Sequence, residues 1–342
     1  MEDKIIVKAP GVIKLLGEHA VVYGKLSIAA AVNVYVQVSL KKVKNPRLTI
    51  KLADLKKSAK FSEEELSELY KTYTTKESPS SYVAQNSTIE KDMLPYATIA
   101  ARLQKEFEIS VIGYSINIKS KIPEQSGLAS SASCYTAFTV ALAKANATDI
   151  LDEQLVDAAR DGERVSHLNI GAGAIDVNTT FYGGYVSFSK EQGARKESFG
   201  ITPKFLLINT GPKKPTAETV GNVSRLYKED RKGTEAKLNG IEKCSLEGIN
   251  ALKEGNLRQL GRLMLEDQEL LRQLGVSSVG LDKAVSIAMS NGALGAKLSG
   301  GGGGGIAVAL VEDYGKGLVS SMESEGFKCM KVRITEEGAR GI

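Results

Sequence analysis

The sequence predicts a protein of mixed helices and strands that is divided into two domains. Its 342 residues suffice for two domains of ordinary size. Strand-like and helix-like segments alternate along the chain, and the polar segment 190–197 separates two apolar parts. We therefore expect domains at 1–195 and 196–342. A hydrophobic content of 42% and a charged content of 25% are typical of globular proteins.

Composition excludes several classes of function. The net charge of +5 comes from scattered lysines, which does not indicate nucleic-acid binding but suits small anionic molecules. The three cysteines are far apart, so neither a disulfide framework nor a zinc site is expected. Two histidines exclude a histidine-rich metal site. No segment is typical of a signal peptide or a membrane span, which predicts a cytoplasmic protein that does not bind membranes.

In the first half, strands alternate with helices. Strands are predicted at Ile5–Lys8, Val12–Leu16, within Ser27–Leu40, at Tyr114–Ser120 and as a pair over Phe181–Phe188; helices at 61–73, Met93–Phe107 and Asp152–Val165; loops at Ser78–Ser81 and Gly171–Asp176. The polar region 54–90 is interpreted as an insertion near a site rather than as part of the core.

The second half contains long amphipathic helices. Leucine and isoleucine at helical spacing predict helices at 216–230, 233–254, 256–273, 281–291 and Tyr314–Glu325, with strands at Phe205–Asn209, Ile306–Val311 and Lys328–Ile334.

A strand, a turn of small residues and a long apolar helix follow one another around residue 127. The turn is Ser126, Gly127, Leu128, Ala129, Ser130, Ser131, Ala132 and Ser133. The first amides of a helix lack internal partners, and small residues let a phosphate approach them. The spacing is not that of a Walker A loop. The alternative is a Ser/Ala-rich helix start that packs closely against a neighbour.

Two glycines, Gly17 and Gly24, bracket a segment that holds the adjacent polar residues Glu18 and His19. The chain turns sharply at both ends, and loops of this kind often carry function. The alternative is a surface turn with a capping glutamate.

The run of six glycines, Gly300–Gly305, lies between apolar strands and so is not a linker. Such a run costs chain entropy, which is explained if another group approaches the backbone closely. The alternative is a strained tight turn.

Two carboxylates are candidates for chemistry. Asp176 follows small residues and could act as a general base. Glu163, on the preceding helix, could bind Mg²⁺, which prefers one or two carboxylates together with phosphate oxygens and water. The alternatives are a capping Asp176 and a solvated Glu163.

Three stretches, Ala9–Gly24, Ser126–Ser133 and Gly295–Gly305, resemble in order and spacing the three motifs of the GHMP small-molecule kinases. Within that superfamily, 17–24, Gly162–Val165 and Leu274–Ser277 are similar to the archaeal mevalonate kinases. The resemblance implies an α+β fold: a ribosomal protein S5 domain 2-like N-terminal domain and a ferredoxin-like C-terminal domain, with the site between them.

The resemblance also implies ATP- and Mg²⁺-dependent phosphorylation of the 5-hydroxyl of mevalonate. The 126–133 turn would bind the ATP phosphates, Ser130 or Ser131 with Glu163 would bind Mg²⁺, and Asp176 would orient or deprotonate the hydroxyl. Glu18, His19, Tyr182, Lys214 and Thr216 would line the mevalonate side. The loop of Ser299, Gly300, Gly301, Gly302, Gly303 and Gly304 would close the site. Family habit implies a homodimer.

The chain departs from the family pattern at two places. The family commonly has a lysine directly after Ala-Pro-Gly, where this chain has Val12. Lys14 lies on the same strand face about 6–7 Å further along and is expected to supply the ammonium. The loop Leu168–Ala174 is longer than expected between Glu163 and Asp176.

Other functions stay open at this stage. A related kinase could act on homoserine or mevalonate 3-phosphate, whereas a decarboxylase of the same fold is disfavoured by the sequence Gly17-Glu18-His19. A nucleotide-binding sensor that lost catalysis is a further alternative, which Val12 alone favours.

Overall fold

A computed structural model of the chain describes residues 4–76, 78–123, 127–169, 172–211 and 214–342. Within these ranges the strands are β1 (Ile5–Leu16), β2 (Ser27–Lys42), β3 (Leu48–Leu52), β4 (Lys57–Phe61), β5 (Tyr114–Ser120), β6 (Tyr185–Ser189), β7 (Gly193–Glu197), β8 (Lys204–Asn209), β9 (Gly295–Ser299), β10 (Ile306–Val311), β11 (Lys328–Arg333) and β12 (Arg340–Gly341).

The helices alternate with these strands. They are α1 (Glu63–Thr75), α2 (Pro79–Gln85), α3 (Leu94–Glu106), α4 (Ser130–Asn146), α5 (Asp152–His167), α6 (Ala174–Tyr182), α7 (Thr216–Glu229), α8 (Arg231–Lys253), α9 (Leu257–Gln273), α10 (Val279–Ser290) and α11 (Lys316–Ser324), and a short 3-10 helix, Ala20–Tyr23, follows β1. No helix in the described ranges is long and apolar enough to cross a membrane.

The first domain is built on a sheet with the strand order β12-β1-β2-β5-β3-β4, to which β6 and β7 add beside β2. Helix α4 packs on β1 and β2 and is apolar around most of its circumference, which fits its burial between the sheet and α5. Helix α6 also packs on β1 and α4. This layering brings the starts of α4 and α6 to the same strand, β1.

The second domain has an antiparallel sheet in the order β11-β8-β10-β9. Helices α9 and α10 pack on β9, and α8 packs on α9 and also reaches β1. The α+β fold with a ferredoxin-like second domain is confirmed. One continuous apolar core contains side chains from both sheets, such as Ile13 and Val308, so the domains share a buried interface.

The division of the chain differs in detail from the expected one. The boundary expected between 195 and 196 falls inside β7, which pairs with β6. The change of sheet comes between β7 and β8. The end of the chain returns to the first sheet, where Ile334 bridges Val32 and β12 pairs with β1. Sequence patterns do not report such long-range pairing, because it depends on where the strands meet in space.

Several element predictions are wrong for local reasons. The strands expected at Ile5–Lys8 and Val12–Leu16 are the single strand β1, because a register shift between Pro10 and Gly11 accommodates the proline. The loop expected at Ser78–Ser81 starts α2: the Ser78 side chain accepts a hydrogen bond from the Ser81 amide, and Pro79 occupies the first turn.

Two further expectations are wrong because tertiary packing decides them. Residues expected as loop and strand before Gly183 form α6, and Gly183 and Gly184 pack against Glu336. The region 54–90 is not an insertion outside the core, since Leu66, Leu69 and Tyr82 are buried in it.

Candidate active site

A lysine–aspartate pair lies where β1 passes the start of α6. The ammonium of Lys14 donates to both carboxylate oxygens of Asp176, at 2.8 and 2.9 Å. Asp176 lies in the first turn of α6, where the helix dipole favours a negative charge. The two side chains are 17% and 19% exposed, so a bound molecule could reach them. The geometry suits a carboxylate that is held ionised and aimed by a cation.

Three carboxylates act on the Lys14 ammonium. Burial alone would lower the pKa of Lys14, but the charge and hydrogen bonds of Asp176, with smaller effects of Glu18 and Glu163, raise it above its usual value of 10.5. Lys14 is therefore a cation throughout the neutral range.

The structure explains the valine at position 12. Val12 is 1% exposed and packs against Ala29 and Ile175, and its amide donates to the carbonyl of Leu128 at 3.0 Å. Position 12 thus belongs to the core beneath the site, whereas Lys14 meets Asp176, as the sequence predicted.

The start of α4 is arranged to accept an anion. Ala129, before the first helical residue, has a left-handed backbone (φ 53°) and as the N-cap residue makes no side-chain capping hydrogen bond. The first-turn amides of α4 have no partner within the helix and carry the positive end of its dipole. Of the predicted phosphate-binding residues, Gly127, Ala129, Ser130 and Ser131 are partly exposed. Ser126 lies outside the described residues.

The other predicted residues of this turn contribute packing. Leu128, Ala132 and Ser133 are fully buried. The hydroxyl of Ser133 donates to the carbonyl of Pro10 at 2.7 Å, which fastens α4 to β1. The alternative, a helix start that packs closely against a neighbour, therefore also applies, because these buried residues are interspersed with the partly exposed ones.

Glu163 is buried, and one of its oxygens has no partner among the described residues. The residue is 3% exposed, its Oε2 lies 3.3 Å from Nε2 of His167, and within the described ranges its Oε1 has no hydrogen-bond partner. Only a glycine fits at 173, because a Cβ there would lie 2.5 Å from Cγ of Glu163. The alternative of a solvated glutamate is wrong, since the α5 face that carries Glu163 packs on α4.

Glu163 lies close to the first turns of α4. The pKa of the Cys134 thiol is raised to about 12, chiefly by burial; the Glu163 charge adds to the increase, and hydrogen bonds with Tyr96 and Ser130 oppose it. Ser130 and Glu163 therefore both lie near this thiol. A buried carboxylate near serine hydroxyls is a donor set that suits Mg²⁺.

The glycine run meets protein groups from both domains. Gly300, Gly302, Gly303, Gly304 and Gly305 have positive φ, which favours glycine. A Cβ at Gly301 would lie 2.9 Å from Thr216, and the Gly301 carbonyl lies 3.0 Å from Nε2 of His19. Both alternatives for this run therefore apply, close approach and tight turning.

Ser299 joins the glycine run to the first domain. Its hydroxyl accepts a hydrogen bond from the backbone amide of Lys14 at 2.9 Å. A Cβ at Gly127 would lie 3.0 Å from the Ser299 carbonyl. Ser299, directly before the glycine run, thus contacts both the strand that carries Lys14 and the turn before α4.

Of the predicted substrate-binding residues, His19 and Thr216 both contact Gly301, beside the site. The other three residues each have different surroundings. Glu18 is 1% exposed and ion-paired with Lys297. Lys214, two residues before α7, is exposed and pairs with Glu218 of that helix at 2.7 Å. Tyr182 is the last residue of α6. Burial raises the pKa of its phenol, and the charges of Asp152 and Glu153 of α5 add to the increase.

Sequence reasoning missed two charged residues behind the site. Lys297 and Asp267 are both fully buried, and both contact the turn after β1. Signals were present. Lys297 lies between apolar residues in a strand, and Asp267 follows Leu260, Leu263 and Met264 on the apolar face of an amphipathic helix.

Phosphoryl transfer to a hydroxyl requires positioning and charge neutralisation more than covalent chemistry from the protein. Amides at a helix start and an ammonium–carboxylate pair at a domain interface supply both, and they define a small-molecule kinase.

Known proteins agree with this assignment. Residues 94–184 match the family model for the GHMP kinases N terminal domain, and residues 249–327 match that for the GHMP kinases C terminal. Mevalonate kinase of Pyrococcus abyssi is 30% identical over 99% of this chain and 98% of its own, and that of Methanocaldococcus jannaschii is 30% identical over 96% and 99%. The crystal structure of the Methanococcus jannaschii mevalonate kinase superimposes with a TM-score of 0.81 at 28% identity, covering 96% of this chain and 98% of that one. The chain belongs to the GHMP kinase family and, within it, to the mevalonate kinases.

Proposed function

We propose that this protein transfers the γ-phosphate of ATP to the 5-hydroxyl of mevalonate. The observation that carries the chemistry is the Lys14–Asp176 pair close to the start of α4. The choice of acceptor is supported by relatives named mevalonate kinase that align over nearly the whole chain.

Asp176 orients the acceptor hydroxyl and accepts its proton as the oxygen attacks the γ-phosphorus. A base must lie within hydrogen-bond reach of the proton that it takes, and Lys14 fixes the position of both carboxylate oxygens. The Lys14 ammonium also offsets negative charge that accumulates around the transferred group. The α4 amides bind the phosphates of ATP, and Ser130 and Ser131 can add hydroxyl donors.

Mg²⁺ fits the donor set at Glu163. The buried Oε1 of Glu163 has no partner in the part of the chain that the structure describes, and Ser130 or Ser131 would provide a second oxygen from α4. Among the described residues no group of three or more His, Cys, Asp or Glu side chains could bind a metal ion by itself. That is expected for Mg²⁺, which keeps water and phosphate oxygens as ligands. When bound, Mg²⁺ supplies charge neutralisation to the phosphates.

The acceptor side is formed by residues of both domains. His19 and Thr216 meet at the Gly301 backbone, and Lys214 is exposed at the start of α7. The mevalonate carboxylate is a suitable partner for the Lys214 ammonium, because Glu218 holds that ammonium only through an exposed ion pair. Glu18 supports this side from behind, through its pair with Lys297.

ADP release from Mg·ATP tests the function directly. Mevalonate, homoserine and mevalonate 3-phosphate are offered separately to the wild-type protein. We expect turnover with mevalonate and less than about 1% of that rate with the other two, since a site with polar groups placed for one substrate rejects analogues strongly. Turnover with homoserine or mevalonate 3-phosphate in place of mevalonate would refute the proposed acceptor.

The sensor alternative has lost its basis, because Val12 belongs to the core and Lys14 supplies the ammonium beside Asp176. The cytoplasmic location and the homodimer stay predictions.

Replacing Glu163 by Gln is expected to raise the Mg²⁺ concentration for half-maximal activity on the order of tenfold or more, because the amide removes a charged ligand. Activity titrated with Mg²⁺ at fixed ATP measures it. Glu153→Gln, an exposed change on the same helix, is the matched control. Equal Mg²⁺ requirements in both variants would exclude Glu163 as a ligand.

A further inference from the structure

A buried cluster of charges lies behind the site, where the two domains meet. Lys297 of β9 and Asp267 of α9 come from the second domain, and Glu18 comes from the turn after β1; all three are no more than 1% exposed. The Lys297 ammonium donates to Oε1 of Glu18 and to the carbonyl of Leu298, and it lies 3.4 Å from Oδ2 of Asp267. We call these three residues the seam cluster.

Burying such charges is costly, so the seam cluster is weak evidence for added stability. It carries two carboxylates and one ammonium. The charges of Lys297 and Glu18 act on the Asp267 carboxyl. The Asp267 charge in turn acts on the Cys244 thiol of α8. Burial raises the pKa of Asp267 to about 8 despite the opposing effect of Lys297, and the Glu18 charge adds to the increase. Burial and the Glu18 charge therefore favour the protonated form of Asp267, while Lys297 pairs with Glu18.

The seam cluster fixes a short piece of the first domain to the second. The Gly17 amide donates to Oδ2 of Asp267 at 3.4 Å, Glu18 pairs with Lys297, and the next residue, His19, meets the Gly301 carbonyl. His19 has a φ of 60°, a strained backbone for a histidine, which persists only where its surroundings hold it. Each of three consecutive residues thus contacts the other domain.

The same connection reaches the catalytic pair. Two residues beyond Lys297 along β9, the Ser299 hydroxyl accepts the Lys14 amide hydrogen bond. Lys14 lies four residues before Glu18 in the chain, and the Glu18 charge contributes to the raised pKa of its ammonium. A shift of Glu18 would therefore move both the glycine loop and the electrostatic surroundings of Lys14.

We propose that Lys297 is a positioning residue for phosphoryl transfer. Through its ion pair with Glu18 it holds residues 17–19 and the glycine run in a fixed position relative to the Lys14–Asp176 pair. Asp267 completes this arrangement, because its Oδ2 accepts the Gly17 amide hydrogen bond and lies 3.4 Å from the Lys297 ammonium. The proposal rests on the proposed function for its kinetic readout, but its stability readout needs no substrate.

The kinetic test compares Lys297→Met with wild type below the measured Tm of each. We expect kcat to fall about 10²-fold, because misplacement of the reacting groups by about 1 Å has that effect, while the KM for ATP changes less than about threefold. Lys283→Met, which breaks an exposed ion pair on α10, is the matched control and keeps the wild-type kcat. If Lys297→Met alone does not fold, the double variant Glu18→Gln/Lys297→Met leaves no uncompensated charge and is expected to show the same loss of kcat.

The stability test compares Tm against pH for wild type and Asp267→Asn. An unfolded aspartate loses its proton near pH 4, whereas Asp267 in the folded chain keeps it to about pH 8. The folded state therefore binds more protons in that window, and the contribution of Asp267 to stability falls as pH rises through it. Asparagine removes this dependence, so the Tm of Asp267→Asn is expected to gain on wild type between these two pH values.

Wild-type kcat in folded Lys297→Met, or parallel Tm–pH curves for wild type and Asp267→Asn, would overturn the proposal. Absence of mevalonate turnover by the wild type would instead refute the proposed function, and the Tm–pH comparison would still decide whether the seam cluster holds its proton.

Discussion

Asp176→Asn is expected to lower kcat with mevalonate by about 10³-fold, because the amide cannot accept the proton of the hydroxyl and general-base catalysis contributes in that range. The change also removes the counter-charge of Lys14, which is left as a partly buried ammonium. ATP binding is expected to hold or strengthen slightly, since one negative charge disappears near the phosphates. Steady-state ADP release and nucleotide titration measure the two effects separately.

A first-turn aspartate elsewhere gives the control for this change. Asp152→Asn, on the exposed start of α5, alters the same chemical group at a comparable helix position and is expected to keep the wild-type kcat. An Asp176→Asn protein that retains more than about one tenth of wild-type kcat would exclude the base role, because a lost base leaves far less.

Lys14→Met is expected to lower kcat by about 10²-fold to 10³-fold, comparable to removal of one donor from a site that stabilises developing charge. Methionine keeps most of the aliphatic stem, and the Lys14 backbone hydrogen bond to Ser299 does not depend on the side chain. Asp176 then loses the group that orients it. The pH profile of kcat should show no basic limb from Lys14 in the wild type, since the pKa of this ammonium is raised above its usual value.

The double variant Lys14→Met/Asp176→Asn tells whether the two residues act together. Groups that work as a unit are not additive, so we expect the double variant to be hardly worse than Asp176→Asn alone. Losses that multiply would mean that Lys14 and Asp176 serve separate steps. Lys8→Met, a change of a partly exposed lysine on the same strand, controls for loss of positive charge on β1.

Local patterns gave the parts of the site that depend on neighbouring residues in the chain. A helix after the small-residue turn was predicted because a strand, such a turn and an apolar segment are consecutive in the sequence, but α4 begins at Ser130, inside the turn expected over 126–133. Asp176 was singled out because it follows a small-residue loop, whereas Lys14 was singled out because the resemblance to the GHMP kinases implies a lysine near position 12. Their contact confirms the geometry expected for the pair, while their catalytic roles stay predictions.

Where segments far apart in the chain meet, the sequence was less informative. Glu18 was expected to face the substrate, yet Lys297, 279 positions away, takes one of its oxygens in the buried seam. Ser133 was grouped with the phosphate-binding residues, yet its hydroxyl is used by Pro10, 123 positions earlier. The sequence does not distinguish a glutamate or serine that binds a ligand from one that contacts a distant part of the chain.

The sequence by itself determined the α+β class, most of the helices and strands, the motifs of the GHMP kinases and the candidates Lys14, Glu163 and Asp176. Only the tertiary structure decided that the residues before Gly183 form a helix, that Glu163 is buried, and that Lys297 and Asp267 join the domains. The physical reason is that periodicity and capping are properties of neighbouring residues, whereas burial and ion pairing depend on which distant surfaces exclude water together.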